Sequence, residues 1–242
     1  MIRNAPPMKT LLRSVAVFCV LSVAARAVVL DVYWNFGGGD GDYTGSLPSH
    51  VTGPGVIGGV NEFTGNTPLF NTVNPSSGYS GSHGISGFHN ASIAVVGGAL
   101  DMVTSTYFEF SLAPSAGYSL QATTFEVGSR STASGPTTLT LFASTDGFTT
   151  STQLGSASVL NNSTWALVSL PGFDYAASLD TPITFRLYGT DGTGGSAISN
   201  WRIDDVDLGV VAIPEPPTYA VMLVGVVLMG ARALRRRKSA VA

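Results

Sequence analysis

The amino-acid sequence predicts an all-β fold, a jelly-roll-like two-sheet β-sandwich formed by residues 28–212, and three observations carry that expectation. Short runs in which apolar and polar residues alternate recur along this stretch, turn-forming residues fall between them, and no long amphipathic helix pattern interrupts them. A period of two is what a strand needs when one face meets a core and the other meets water. Sheets of that kind bury their apolar faces against each other, which makes a sandwich the natural architecture.

The alternation is clearest in residues 107–112, where Phe108, Phe110 and Leu112 are separated by Glu109 and Ser111. It returns where Leu139 and Leu141 alternate with threonines, and where Ile183, Phe185 and Leu187 alternate with Thr184, Arg186 and Tyr188. Between these runs lie the turn signals Asp146-Gly147, Asn161-Asn162-Ser163, Pro171-Gly172 and Asp191-Gly192, so about nine or ten strands are expected. Residues 46–98 are crowded with Gly, Pro, Asn and Ser and alternate weakly, which predicts long loops over a sandwich edge.

Both ends of the chain read as addressing segments. Arg3, Lys9 and Arg13 precede an apolar stretch over residues 15–25, and Ala25-Arg26-Ala27 offers small residues where a signal peptidase reads. The apolar stretch is shorter than the ~20 residues of a membrane span, so residues 1–27 read as a cleaved signal peptide. Cys19, the one cysteine, lies within it without a lipoprotein-type processing box, so no disulfide is expected after cleavage.

Charge is partitioned. Residues 28–212 keep only Arg130, Arg186 and Arg202 against fourteen carboxylates, a net charge of −11 with no lysine. Such a domain repels phosphate backbones, which excludes nucleic acid as a partner.

The tail, residues 213–242, reads Ile-Pro-Glu-Pro-Pro-Thr-Tyr, then an apolar run over residues 220–231, then Arg232, Arg235, Arg236, Arg237 and Lys238. A helix over about residues 218–234 is expected to cross the membrane; residues 219–234 alone give about 24 Å, short but workable against a core of roughly 30 Å. A buried core helix leaves the arginine cluster unexplained. Basic residues flanking a span stay on the cytoplasmic side, which places residues 28–212 across the membrane.

Pro214, Glu215 and Pro216, the span and the arginine cluster together resemble the PEP-CTERM sorting signal of Gram-negative bacteria. That resemblance implies a substrate of an exosortase, a membrane-embedded cysteine protease often encoded beside exopolysaccharide and biofilm genes. Pro214, Glu215, Pro216, Arg235, Arg236 and Arg237 then form the sorting signal, with the prolines holding Glu215 extended for recognition. Stretches at residues 107–112, 117–120, 142–148 and 185–205 are similar to domains common in PEP-CTERM proteins and, distantly, to carbohydrate-binding jelly rolls.

Within the domain, Trp201-Arg202-Ile203-Asp204-Asp205-Val206-Asp207-Leu208 reads as the last strand. Ile203 has odd parity and Val206 and Leu208 even, so all three reach the core only if a β-bulge falls near Asp204-Asp205. The aspartates either cap local backbone N–H groups or, with Asp31 of the first strand, offer oxygen ligands to Ca²⁺. Gly37-Gly38-Gly39-Asp40-Gly41-Asp42 occurs once and lacks the tandem copies of calcium-binding repeats. His50, His83 and His89 lack the further ligands a zinc site needs, and no serine elbow or other catalytic constellation is found.

Trp34, Trp165 and Trp201, with Tyr43, Tyr79, Tyr107, Tyr118, Tyr175 and Tyr188, supply aromatic surface for sugar stacking wherever several are exposed together. The sequence therefore points to a non-enzymatic, exported surface or extracellular-matrix protein processed by signal peptidase and an exosortase. It is expected at the inner membrane on the periplasmic side, then at the cell surface or outside, in contact with extracellular polysaccharide and free of cofactors. A lectin-like carbohydrate-binding module is the alternative; a hydrolase with dispersed carboxylates finds no supporting motif.

Overall fold

The computed structural model describes residues 27–34, 50–52, 56–65, 70–71, 79, 90–95, 97–170, 172–194 and 200–214. Thirteen strands run in order: β1 (Val28–Trp34), β2 (His50–Thr52), β3 (Val56–Gly65), β4 (Phe70–Asn71), β5 (Ala91–Ile93), β6 (Tyr107–Pro114), β7 (Tyr118–Ser131), β8 (Thr138–Ser144), β9 (Thr152–Ser158), β10 (Trp165–Leu170), β11 (Tyr175–Ala176), β12 (Ile183–Thr190) and β13 (Trp201–Pro214). The fold is all-β, as the alternation requires. Nine of these strands have six residues or more, and the other four, β2, β4, β5 and β11, are two or three residues long.

The strands form two sheets, and every pairing between them is antiparallel. The larger is ordered β10-β7-β13-β1-β2, with β11 also on β7 and β4 reaching β13 through β5; the smaller is ordered β3-β6-β12-β8-β9. β7 and β13 are the longest, fourteen residues each, and they pair along most of their length. They form the spine of the larger sheet.

The two sheets share one core. Phe108, Phe110 and Leu112 of β6, Leu139 and Leu141 of β8, and Ile183, Phe185 and Leu187 of β12 are all buried, as the period-two pattern predicted. They meet Trp34 of β1, Phe125 of β7 and Trp201 of β13: Trp34 sets its edge against Phe110 at 4.9 Å, and Phe108 meets Trp201 at 4.6 Å. Phe110 also stacks between Phe125 at 6.0 Å and Phe185 at 5.2 Å. Each large aromatic taken out of water contributes about 1.5–3 kcal/mol, and rings from both sheets interdigitate here.

The long loops expected over residues 46–98 are corrected in part: β2, β3, β4 and β5 lie within that stretch. β3 is the outermost strand of the smaller sheet, and its pairing with β6 shifts register between Ile57 and Asn61 and again before Thr64. The shifts divide β3 into short stretches of regular pairing, and the second, three residues of β3 against two of β6, reverses the parity, so a strand of ten residues leaves no sustained alternation in the sequence.

The first and last strands close the domain side by side, with Val28 opposite Ala212. β13 continues to Pro214, which lies opposite Tyr118, so the ladder runs two residues past the boundary at 212 and includes the first proline of the tail. Proline has no N–H to donate and is a natural end to a ladder. Among the described residues no helix is long and apolar enough to cross a membrane; the expected signal peptide and span lie outside them.

Candidate functional site

β13 carries the most distinctive chemistry, and its backbone explains why. Trp201, Ile203, Val206 and Leu208 are all fully buried, which no regular strand allows. The pairing with β7 shifts between Asp204 and Asp207, and Asp205 adopts the left-handed region with φ 48°. This is the bulge that the parity of Ile203 and Val206 demanded.

The bulge turns the carboxylate of Asp204 onto backbone amides. Its Oδ2 accepts the N–H of Tyr79 and its Oδ1 accepts the N–H of Asp205, both at 2.8 Å. Asp204 is 3% exposed, and this burial pushes its carboxyl up from the usual carboxylate range to about 7, against the pull of the two amides and with a smaller push from Asp205. Tyr79 packs against Gly128 of β7, where a Cβ would meet its ring at 2.3 Å; only glycine admits the ring. Burial raises the Tyr79 phenol, and the charges of Asp205 and Glu126 raise it further.

The calcium candidates Asp31, Asp204 and Asp205 are not drawn together by this backbone. Asp31 lies opposite Gly209, whereas Trp34, three residues on, lies opposite Val206 next to the bulge. At ~3.3 Å per residue the register separates Asp31 from the two aspartates by roughly 10 Å or more, too far for one ion whose ligands lie at about 2.3–2.6 Å. Among the described residues no group of three His, Cys, Asp or Glu side chains is placed to hold a metal.

The outward faces of the two sheets differ in charge pattern. On the larger sheet Arg202 of β13 lies directly opposite Arg130 of β7, and Asp207 lies directly opposite Glu126. Arg130 in turn faces Trp165 of β10 and donates its Nε–H to the carbonyl of Ser163 at 2.6 Å. Among the described residues Arg202 makes no hydrogen bond or ion pair, and partial burial, then the charge of Arg130, holds its guanidinium below its ordinary range. Trp165 has a shielded indole N–H without an acceptor among the described residues, and its ring lies 6.2 Å from that of Tyr79.

On the smaller sheet Arg186 of β12 lies directly opposite Glu109 of β6 and binds it, Nε to Oε2, at 2.6 Å. Its guanidinium carbon also stands 4.3 Å from the ring centre of Tyr107 and 4.0 Å from that of Phe148. Phe148 has φ 64°, a strained conformation for an aromatic residue. Ser144 Oγ accepts the N–H of Phe148 at 2.9 Å, while the Asp146 carboxylate takes the backbone N–H of Thr150 at 2.9 Å and its hydroxyl at 2.7 Å.

Of the other residues singled out in the sequence, Trp34, Trp201 and Tyr188 are fully buried and unavailable for stacking, whereas Tyr79, Tyr107, Tyr118, Trp165 and Tyr175 are partly exposed. Pro214 ends β13. Glu215, Pro216, Arg235, Arg236 and Arg237 lie outside the described residues, as do Tyr43, His83, His89 and residues 37–42; His50 is placed only by its backbone, opposite Tyr33. The arginine row and the Tyr79 contact were missed, because strand neighbours distant in sequence leave no local signal.

An all-β domain that closes on the first proline of a Pro-Glu-Pro tail defines the class: a folded module carrying a C-terminal sorting segment. Residues 212–238 match the PEP-CTERM protein-sorting motif. The chain is thus a PEP-CTERM domain-containing exosortase substrate, an exported protein with the membrane-anchoring sorting signal of Gram-negative bacteria. The match covers the tail and the last three residues of β13, not the β-domain. No curated protein matches the chain.

Proposed function

We propose that this chain is a non-catalytic surface or extracellular-matrix protein whose β-domain is delivered by its two ends. The observation that carries the reading is the sorting motif over residues 212–238. Signal peptidase removes residues 1–27, the apolar helix over about residues 218–234 holds the precursor in the inner membrane with the domain on the periplasmic side, and an exosortase cuts at the Pro214–Glu215–Pro216 segment. The product reaches the cell surface or the exopolysaccharide of a biofilm.

The placement of the motif gives this reading physical content. A proline at the last ladder position of β13 has no N–H to donate to the sheet, which makes Pro214 a natural end to the strand. In an exosortase-positive host, replacing Pro214, Glu215 and Pro216 with alanines is expected to leave the precursor at full length on an immunoblot. Processing at the wild-type rate overturns the assignment.

A second reading, a lectin-like jelly-roll module that holds polysaccharide directly, is favoured by one observation. Trp165 and Tyr79 pair at 6.2 Å, both partly exposed, on the outward face of the larger sheet beside Arg130. Aromatic rings on an open sheet face are the side chains on which sugar rings stack.

A further inference from the structure

The domain has three cations, and two of them stand side by side where physical chemistry disfavours it. Like charges directly opposite on antiparallel strands destabilise a sheet, since their Cβ atoms lie about 4.5–5.5 Å apart. Fourteen carboxylates are available in residues 28–212, yet Arg202 pairs with none among the described residues. Asp207 lies beyond the bulge, facing Glu126 four residues along β7 from Arg130, and the Asp204 carboxylate is turned onto backbone amides. Arg186, the third cation, has both a carboxylate and two aromatic rings. Among the described residues, then, one arginine is fully paired and two adjacent ones have no counter-ion.

We propose that the row Trp165, Arg130 and Arg202 across β10, β7 and β13 binds an acidic saccharide, its carboxylate on the two guanidiniums and its sugar ring against the indole. Guanidinium forks match a carboxylate in a planar, two-bond geometry, and two forks on neighbouring strands bracket one such group. In a uronate the carboxylate is attached directly to the ring. A strand spacing of about 4.8 Å therefore sets the ring over the neighbouring strand, where Trp165 lies opposite Arg130. An overall charge of −11 favours ligands of sparse charge over dense polyphosphates. This deepens the glycan-binding reading; it does not involve the exosortase.

The test uses the purified full chain in detergent, with tryptophan fluorescence and thermal melting as readouts. Digalacturonate is expected to bind and to raise Tm, with affinity falling as salt rises, and maltose at the same concentration to do neither. Arg202→Gln and Arg130→Gln are each expected to weaken digalacturonate binding at least tenfold while Tm of the unliganded protein stays level or rises, because a repulsion has been removed. A drop in that Tm overturns the claim that the pair lacks support. Undiminished binding by Arg202→Gln removes this site and leaves glycan binding to be placed elsewhere on the domain; absence of digalacturonate binding removes the site and the reading on which it rests. Inorganic sulfate that binds as tightly as digalacturonate overturns the sugar half and identifies an adventitious ion only.

Discussion

The outward faces of the two sheets solve the same electrostatic problem in opposite ways. On the smaller sheet Arg186 and Glu109 face each other across β12 and β6, and Tyr107 and Phe148 enclose the guanidinium. On the larger sheet the directly opposed pairs are Arg202 with Arg130 and Asp207 with Glu126, and between these rows lies Asp204, buried under Tyr79. Among these directly opposed pairs, one face sets unlike charges against each other and the other sets like charges. A sheet needs no more than the first arrangement to be stable, so the second is where the molecule departs from stability toward something else.

The largest expected effect tests the part that both faces share. Trp201 is fully buried, packs on Phe108 at 4.6 Å and donates its indole N–H to Ser129 Oγ at 3.1 Å. Trp201→Ala removes the ring and leaves that hydroxyl without its donor, so a loss of about 3–5 kcal/mol is expected, read as a Tm drop of roughly 10 °C. A drop no larger than a surface substitution gives would mean that the two sheets do not share this core.

Next comes the buried carboxyl of the larger sheet, where pH is the variable. Asp204 titrates near 7 in the folded protein and near 3.8 when unfolded, so between these values the native state holds the extra proton. Stability is therefore greatest below about pH 4, falls as pH rises toward 7, and is level above it, the reverse of an ion-paired carboxylate. At about 1.4 kcal/mol per unit the change is at most about 4 kcal/mol. Asp101 and Asp146, both held low by bonds to backbone amides, act below this window and with opposite sign. Asp204→Asn keeps an acceptor for the Tyr79 amide and cannot titrate, so its Tm should lose the slope between pH 4 and pH 7. The same slope in the variant would show that another group carries it.

How much of this was legible in the sequence depends on whether the signal was local. Phe108, Phe110 and Leu112 announced β6 because consecutive residues report one strand's two faces, and Ile203 with Val206 announced the bulge for the same reason. The sorting motif was legible because its residues are contiguous. β3 was not, since its two register shifts erase the period. Nor could the sequence separate Trp34 and Trp201, which fill the core, from Trp165, which does not: an aromatic residue reads alike on either face until the strand's partners are known. The bond from Tyr79 to Asp204 spans 125 positions and depends on Gly128, a third residue on another strand. Such features belong to topology, which a single sequence leaves open.

The smallest expected effect bears most directly on the comparison between the faces. Glu109→Gln removes the anion from a partly exposed pair, so screening by water keeps the loss at about 0.5–1 kcal/mol. The amide oxygen of the glutamine still accepts from Arg186 and the rings of Tyr107 and Phe148 still hold the guanidinium, which limits the loss further. Salt should shrink the difference between wild type and variant, because the attraction removed is one that ions screen. On the larger sheet salt acts with the opposite sign, since it relieves the repulsion between Arg130 and Arg202 and between Asp207 and Glu126. Melting wild type and Glu109→Gln across a salt series separates the two contributions: the variant should gain more from added salt than the wild type does. Equal salt responses would mean that Arg186 and Glu109 contribute no electrostatic stability, and the contrast between a complementary face and a frustrated one would fail on the side where the geometry is best.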